Sequence, residues 1–275
     1  MKNQRKTISA YVITVGEPTL EACLAHLKKQ TLALDVIDVV ANVPGRARAR
    51  NEVHRRVETD YFLPVNADML LHPRCVEILY KHIAGRDRVF DVVGRLHDPL
   101  LGSIMGIHLQ RTEYVKHIEL SDSLASDVTL MDRLSGQYEK VILNQVVGLH
   151  RPEYNQLMEL YHKFVREGEK IRFRANAERF RNDLDNLILA LRRGNRSAEI
   201  ALIFLFYGLF TEGVSDHNYL EYDNPHSREG IRIISEVLKL TPAQKDTWLE
   251  KLFHRHYYHI YRVKDLFERA RRRLR

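Results

Sequence analysis

Cysteine is scarce in this 275-residue chain: there are two, Cys23 and Cys75. Both fall among apolar helical neighbours with no C-x-x-C spacing, which excludes a disulfide framework and reads as buried thiols in a reducing compartment. Long apolar runs are absent as well. The longest, Ile200 to Phe210, is too short to span a bilayer and fits a buried core helix. The amino terminus is polar and basic and runs straight into a strand-like segment, unlike a secretory signal. No repeat or low-complexity segment breaks the sequence. These absences leave a soluble chain without a transmembrane segment, expected in the cytoplasm.

What is present in excess is positive charge. The formal net charge is +7, and Arg269, Arg271, Arg272, Arg273 and Arg275 crowd the carboxyl end. A solvated helix end is the ordinary reading. Peripheral contact with an anionic lipid surface, or with nucleic acid, is the sharper one, and charge alone does not choose.

Two regions differ in pattern. From Ile8 to His150, short β-branched runs alternate with helical periodicity: strands at 9–15, 36–43, 61–68 and 89–94, helices opened by Thr19, at 47–58 and at 73–84. Such alternation predicts an α/β domain over residues 1–150, built on a mostly parallel sheet covered on both faces. Pro64 inside the third run requires either a strand that starts at Val65 or a bulge. From 151 to 275 strand patterns vanish, and helices are expected at 154–167, 175–191, 198–210, 227–240 and 242–274.

Chemistry gathers where the strand runs stop. Tyr61 to Asp68 ends in Asn66-Ala67-Asp68, and a carboxylate at the carboxyl end of a buried strand lies where α/β sheets bind ligands. Asp68 reads as a hard oxygen ligand for Mg²⁺ or Mn²⁺, against the plainer role of capping the next helix, worth about 1 kcal/mol. His150 ends the run from Val141 to Leu149, and an imidazole beside a carboxylate suits Mn²⁺ better than Ca²⁺. Asp127 opens a helical segment with Leu130, Met131 and Leu134 on its buried face. It is either a first-turn acid or a carboxylate able to take a proton from an attacking hydroxyl. Gly102 and Gly106 would let a ligand approach the backbone. Arg46, Arg48 and Arg50 open a helix whose amino terminus suits a diphosphate, with a solvated basic face as the plainer reading.

In this order the motifs resemble the GT-A fold glycosyltransferases, particularly the family 2 nucleotide-sugar transferases. They are Thr14-Val-Gly-Glu-Pro18, Ala49-Arg50-Asn51, Asn66-Ala67-Asp68, the glycine segment, Asp127 and His150. The resemblance covers residues 8–150. It implies a GT-A-like (Rossmann-like) mixed sheet with helices on both faces. The all-helical C-terminal region that follows lies beyond the resemblance and is expected to shape the acceptor side or to serve as a packing extension. It implies Asp68 and His150 as ligands of Mn²⁺ or Mg²⁺ and Asp127 as the base of an inverting transfer. Thr14, Val15 and Glu17 would border the base and ribose, and Arg46 and Arg50 the phosphates. Asn42, Asn66, Ala67 and Gly106 would complete the nucleotide site. Asn66 stands where the motif has its first Asp, Asn42 where an acid usually ends the second strand, and Ser126 where the pair often has Glu. The expected partners are a nucleoside-diphosphate sugar and an acceptor glycan, lipid-linked glycan or nucleic acid.

Two rival readings remain at this level. A nucleotidyltransferase on the same fold would need more carboxylates than can be placed. A basic binding module for nucleotides or nucleic acid would draw on the arginine-rich end and on His254 to Arg262, a segment that also fits a helix with Tyr257, Ile260 and Tyr261 inward.

Overall fold

A computed structural model of the chain describes residues 6–121, 130, 133–134, 136–152, 157–174 and 177–210, together with Arg232 and Lys239. Two compact units divide at Arg151 and Pro152. Apart from Arg232 and Lys239, the helices expected at 227–240 and 242–274 and the arginine-rich end lie outside the described residues.

The first unit follows the strand-and-helix alternation. Its elements run β1 (Ile8–Thr14), α1 (Leu20–Lys28), β2 (Val36–Ala41), α2 (Arg46–Arg56), β3 (Tyr61–Asn66), β4 (Met69–Leu71), α3 (Cys75–Ile83), β5 (Val89–Asp98), β6 (Gly102–Arg111), α4 (Thr112–Val115) and β7 (Glu139–His150). The strands form one seven-stranded sheet in the order β2-β1-β3-β6-β5-β7-β4. β1 pairs in parallel with β2 and β3, and β5 with β7. β6 runs antiparallel to both β3 and β5, and β4 antiparallel to β7. This is the mixed α/β sheet that the GT-A resemblance implies.

Alternation along β1 explains why both faces are covered. Ile8, Ala10 and Val12 enter a core with Cys23 and Leu27 of α1 and Val76, Leu79 and Ile83 of α3. Tyr11 turns the other way, to Ala47 and Val53 of α2 and to Val115, Leu130 and Leu134. A strand apolar on both faces must be buried on both, so each face acquires its helices.

Pro64 lies within β3, and neither a late strand start nor a bulge is needed. Tyr61 N–H donates to Thr7 and Ala67 N–H to Ile13 on the β1 side. Successive residues alternate, so position 64 faces β6 instead, and within β3 only Tyr61 and Phe62 pair with β6. The missing N–H falls where the ladder has already ended.

Two strands escaped the periodicity reading. β4 is three residues long, too short to carry a period, and lies between Asp68 and the helix expected from Pro73. β6 begins at Gly102 and runs through the glycine segment to Arg111.

The second unit is helical in its described part: α5 (Leu157–Arg174), α6 (Ala177–Arg192) and α7 (Arg196–Phe210). α5 continues past the expected end at Glu167 because Gly168 serves a helix crossing. A Cβ on Gly168 would stand 2.2 Å from Leu205 O, and one on Gly208 would stand 1.9 Å from Val165 O. α7 buries Ala198, Leu202, Phe204 and Phe206, as its unbroken apolar sequence predicts. Phe206 meets Phe180 edge-on at 5.8 Å, and Phe204 meets Tyr161 at 5.3 Å. Among the described residues no helix is long and apolar enough to cross a membrane.

Candidate functional site

The sheet topology decides which strand ends meet. β6 is antiparallel to β3 and to β5, so β1, β2, β3, β5 and β7 all point the same way. Their carboxyl tips, Thr14, Ala41, Asn66, Asp98 and His150, share one edge. That edge is where ligands bind in open α/β sheets.

Asp68 and His150 come together there. β4 pairs with β7 so that Met69 faces His150, and Arg151 N–H donates to Asp68 O at 2.7 Å. The side chains follow the register: Asp68 Oδ2 lies 2.9 Å from His150 Nε2. Their sequence separation hides a contact that the strand pairing makes unavoidable.

A third residue, Asp98, joins them without having been foreseen. Its strand extends to Asp98, four residues past the expected end at Gly94. His97 pairs with Leu149 in the parallel β5–β7 ladder, which brings Asp98 beside His150. Asp98 Oδ2 lies 2.7 Å from His150 Nδ1. Oδ1 accepts the backbone N–H groups of Leu100 and Leu101, both at 2.8 Å. Asp98 is wholly buried, at 0% exposure. The Asp98-Pro99 pair closing an apolar-polar alternation was the available sequence cue.

The donor set fits a small divalent cation. Mg²⁺ and Mn²⁺ sites commonly use one or two carboxylates plus substrate phosphates, and a ligating imidazole has its other nitrogen held by a carboxylate. The 2.9 Å between Asp68 Oδ2 and His150 Nε2 matches the edge of an octahedron with ligands at about 2.1 Å, which is about 3.0 Å. Asp98 stands on the far side of the ring, so the three acidic and imidazole groups do not converge. Accordingly, among the described residues no cluster of three or more His, Cys, Asp or Glu could hold a metal. Among the described residues the donor atoms that meet here are Asp68 Oδ2 and His150 Nε2.

The first loop is organised by Glu17. Its carboxylate accepts from Thr14 Oγ1 at 2.5 Å and from Val15 N–H at 2.8 Å, and Thr14 Oγ1 accepts from Gly16 N–H at 3.0 Å. Glu17 therefore shapes the turn, and the residue it presents outward is Val15, 55% exposed. Next to it Asn42 donates its N–H to Thr14 O at 2.9 Å and adopts φ 56°, a left-handed conformation that Asn tolerates. Gly45, at φ 89°, turns the chain into α2, which begins at Arg46. Arg50 is buried and Arg48 exposed, so one of the three arginines does face water.

Asn51, third in the Ala-Arg-Asn motif, grips the segment that follows α4. Its amide donates to Leu120 O and accepts from Leu120 N–H, both at 2.9 Å. His54 Nδ1 bonds Ile118 O at 3.0 Å from the same helix face. Asp127 itself lies outside the described residues, as do 254–262.

Two predicted site residues turn inward. Ala67 is fully buried in the α1–α3 core. Gly106 sits within β6, where an added Cβ would lie 2.4 Å from Leu96 Cδ1. The space left by its absent side chain is filled by Leu96. Cys23 lies beneath the site with its thiol directed at Asn66 O, 3.8 Å away. Burial, with a further push from the Asp68 carboxylate, raises that thiol to about 12, so it is no nucleophile at neutral pH.

Comparisons with known proteins add the following. No protein-family model matches the chain, and no curated protein matches it. Among solved structures the chain is similar to glucosyl-3-phosphoglycerate synthase from Mycobacterium tuberculosis. In the complex with Mn²⁺, uridine diphosphate and phosphoglyceric acid, identity is 16% over 54% of this chain and 72% of the other, with a TM-score of 0.42. The complex of that enzyme with Mg²⁺ and uridine diphosphate gives 15%, 54%, 72% and 0.41. A mycobacterial protein gives 16% identity over 58% of this chain and 73% of the other, with a TM-score of 0.44.

Proposed function

We propose that the chain is a metal-dependent glycosyltransferase that moves a sugar from a nucleoside-diphosphate sugar to an acceptor hydroxyl. The observation that carries the reading is the meeting of Asp68 and His150 at the shared edge of five parallel strand tips. The ordered motifs between residues 8 and 150 support it.

Asp68 and His150 would hold Mn²⁺ or Mg²⁺. Bound there, the ion would offset charge developing on the departing nucleoside diphosphate. Val15 offers an apolar surface at the tip of β1 to the base and ribose, on a turn that Glu17 holds rigid, with Asn42 alongside. The amino terminus of α2, with Arg46 and Arg50, suits the diphosphate. Asp127 would take the proton of the acceptor hydroxyl as it attacks the anomeric carbon from the opposite face, which inverts configuration. Asn51 and His54 fix the chain that leads towards that acid.

Transfer from a panel of nucleotide sugars in the presence of Mn²⁺ tests the assignment. Asp68→Ala is expected to lower kcat by about 10²–10³-fold, the scale for removing preorganised charge stabilisation. Full activity in both Asp68→Ala and Asp127→Ala would sink the proposal. Retention at the anomeric carbon would remove Asp127 from the role of base while leaving the donor site intact.

A further inference from the structure

His150 can serve as a ligand through Nε2 only if Nδ1 carries the ring proton and the ring is held in plane. Asp98 meets both conditions. A carboxylate accepts and does not donate, so Nδ1, 2.7 Å from Asp98 Oδ2, carries a proton. Nε2 faces the Asp68 carboxylate at 2.9 Å, and only this nitrogen must give up any proton of its own when a metal binds. The carboxylate cannot swing, because Leu100 and Leu101 N–H groups hold its other oxygen at 2.8 Å. Those donors belong to the buried β5–β6 turn, so the orientation of one imidazole is tied to the tightest part of a hairpin. We propose that Asp98 is a positioning residue that fixes the proton of His150 on Nδ1 and aims Nε2 at the metal. The inference rests on the metal-site reading above.

Asp98→Asn separates this role from a structural one. An amide offers one acceptor and one donor face. The two backbone N–H groups claim the oxygen, which keeps the hairpin cap and turns the NH₂ towards His150. Nδ1 must then accept, the ring proton moves to Nε2, and the ligating lone pair is lost. The fold survives while the ligand is disabled.

The test uses the full chain, labelled with ¹⁵N and free of metal, with the His150 imidazole resonances assigned by their loss in His150→Gln. The expected result is a protonated Nδ1 in the native chain and an unprotonated Nδ1 in Asp98→Asn. In parallel, Mn²⁺ is titrated in the presence of uridine, guanosine or cytidine diphosphate, with unbound Mn²⁺ read by electron paramagnetic resonance. Asp98→Asn should bind about 10–100-fold more weakly, the usual cost of losing the partner of a ligating histidine. Its melting temperature without metal should stay close to native.

An unprotonated Nδ1 in the native chain overturns the proposal, and the native spectrum needs no variant to fold. Equal Mn²⁺ affinity in native and Asp98→Asn chains overturns the role of Asp98 while leaving the metal site standing. A native chain that binds no Mn²⁺ with any of the three nucleotides overturns the metal site itself, and with it the purpose assigned to Asp98.

Discussion

His54 shows how much a single buried side chain can decide. It lies 5% exposed, edge-on to Phe62, with Nδ1 on Ile118 O. Burial, reinforced by the Arg50 charge, holds its pKa down at about 4. In the unfolded chain the ordinary value is about 6.5, so between these values the unfolded state binds more protons than the folded one. The stability that depends on a neutral His54 is fully present above pH 6.5 and is lost as pH falls towards 4, by about 3 kcal/mol. Urea unfolding of the first unit at pH 7 and pH 4.5 should show this loss in the native chain, and a much smaller one in His54→Gln. An equal loss in both would assign the acid sensitivity elsewhere. At the site, Asp68 depends on its ligand instead. A nucleoside diphosphate with Mn²⁺ at 100 times its Kd should stabilise the native chain by about 2.7 kcal/mol, and Asp68→Asn should lose most of that gain. The melting temperature reads both.

Among the elements, the helices of the second unit are set by packing more than by local stop signals. A glycine within a helical pattern normally suggests an end, yet Gly168 lies in the middle of α5 because α7 passes too close for any side chain. Gly208→Ala is therefore expected to destabilise the second unit by about 1–3 kcal/mol through overpacking, despite alanine's higher helix propensity. A gain in melting temperature would contradict the close crossing. In the first unit the same principle governs β4, which no local pattern marks and which exists because β7 offers it an edge. Most strands and helices of about six residues or more were legible from period alone, since a covered sheet demands apolar runs and a surface helix demands a stripe, with the ten-residue β6 as the exception. Short strands such as β4, and the close packing of Gly106 against Leu96 at the register shift between β5 and β6, were not, because the contacts that define them lie outside the local period.

Across the whole molecule, the two units should answer acid differently. Burial alone would raise the Glu167 carboxyl in α5, but Lys170, Arg179 and Lys163 outweigh it and hold it down at about 2. A carboxylate depressed in the folded state contributes stability that is complete above its unfolded value of about 4.3 and disappears as pH falls towards 2. His54 thus weakens the first unit between pH 6.5 and 4, while the Glu167 contribution to the second unit begins to fail only at the acid end of that window and is lost mostly below it. Hydrogen exchange followed by mass spectrometry along an acid series should show amides of 8–150 losing protection before those of 157–210 in response to these groups. Simultaneous loss, unchanged in His54→Gln, would refute the separation.

By itself the sequence determined the alternation of elements up to His150, the helical character beyond it, and the placing of Asp68 and His150 at strand ends. These are local consequences of period and polarity: a strand apolar on both faces stops where a charged side chain cannot be buried. Only the tertiary structure decided that Asp68 and His150 touch, because the register of β4 on β7 sets that contact. It alone supplied Asp98, 52 residues from its histidine, through the parallel pairing of β5 with β7. Register between strands is a property of the whole sheet, and no stretch of sequence carries it.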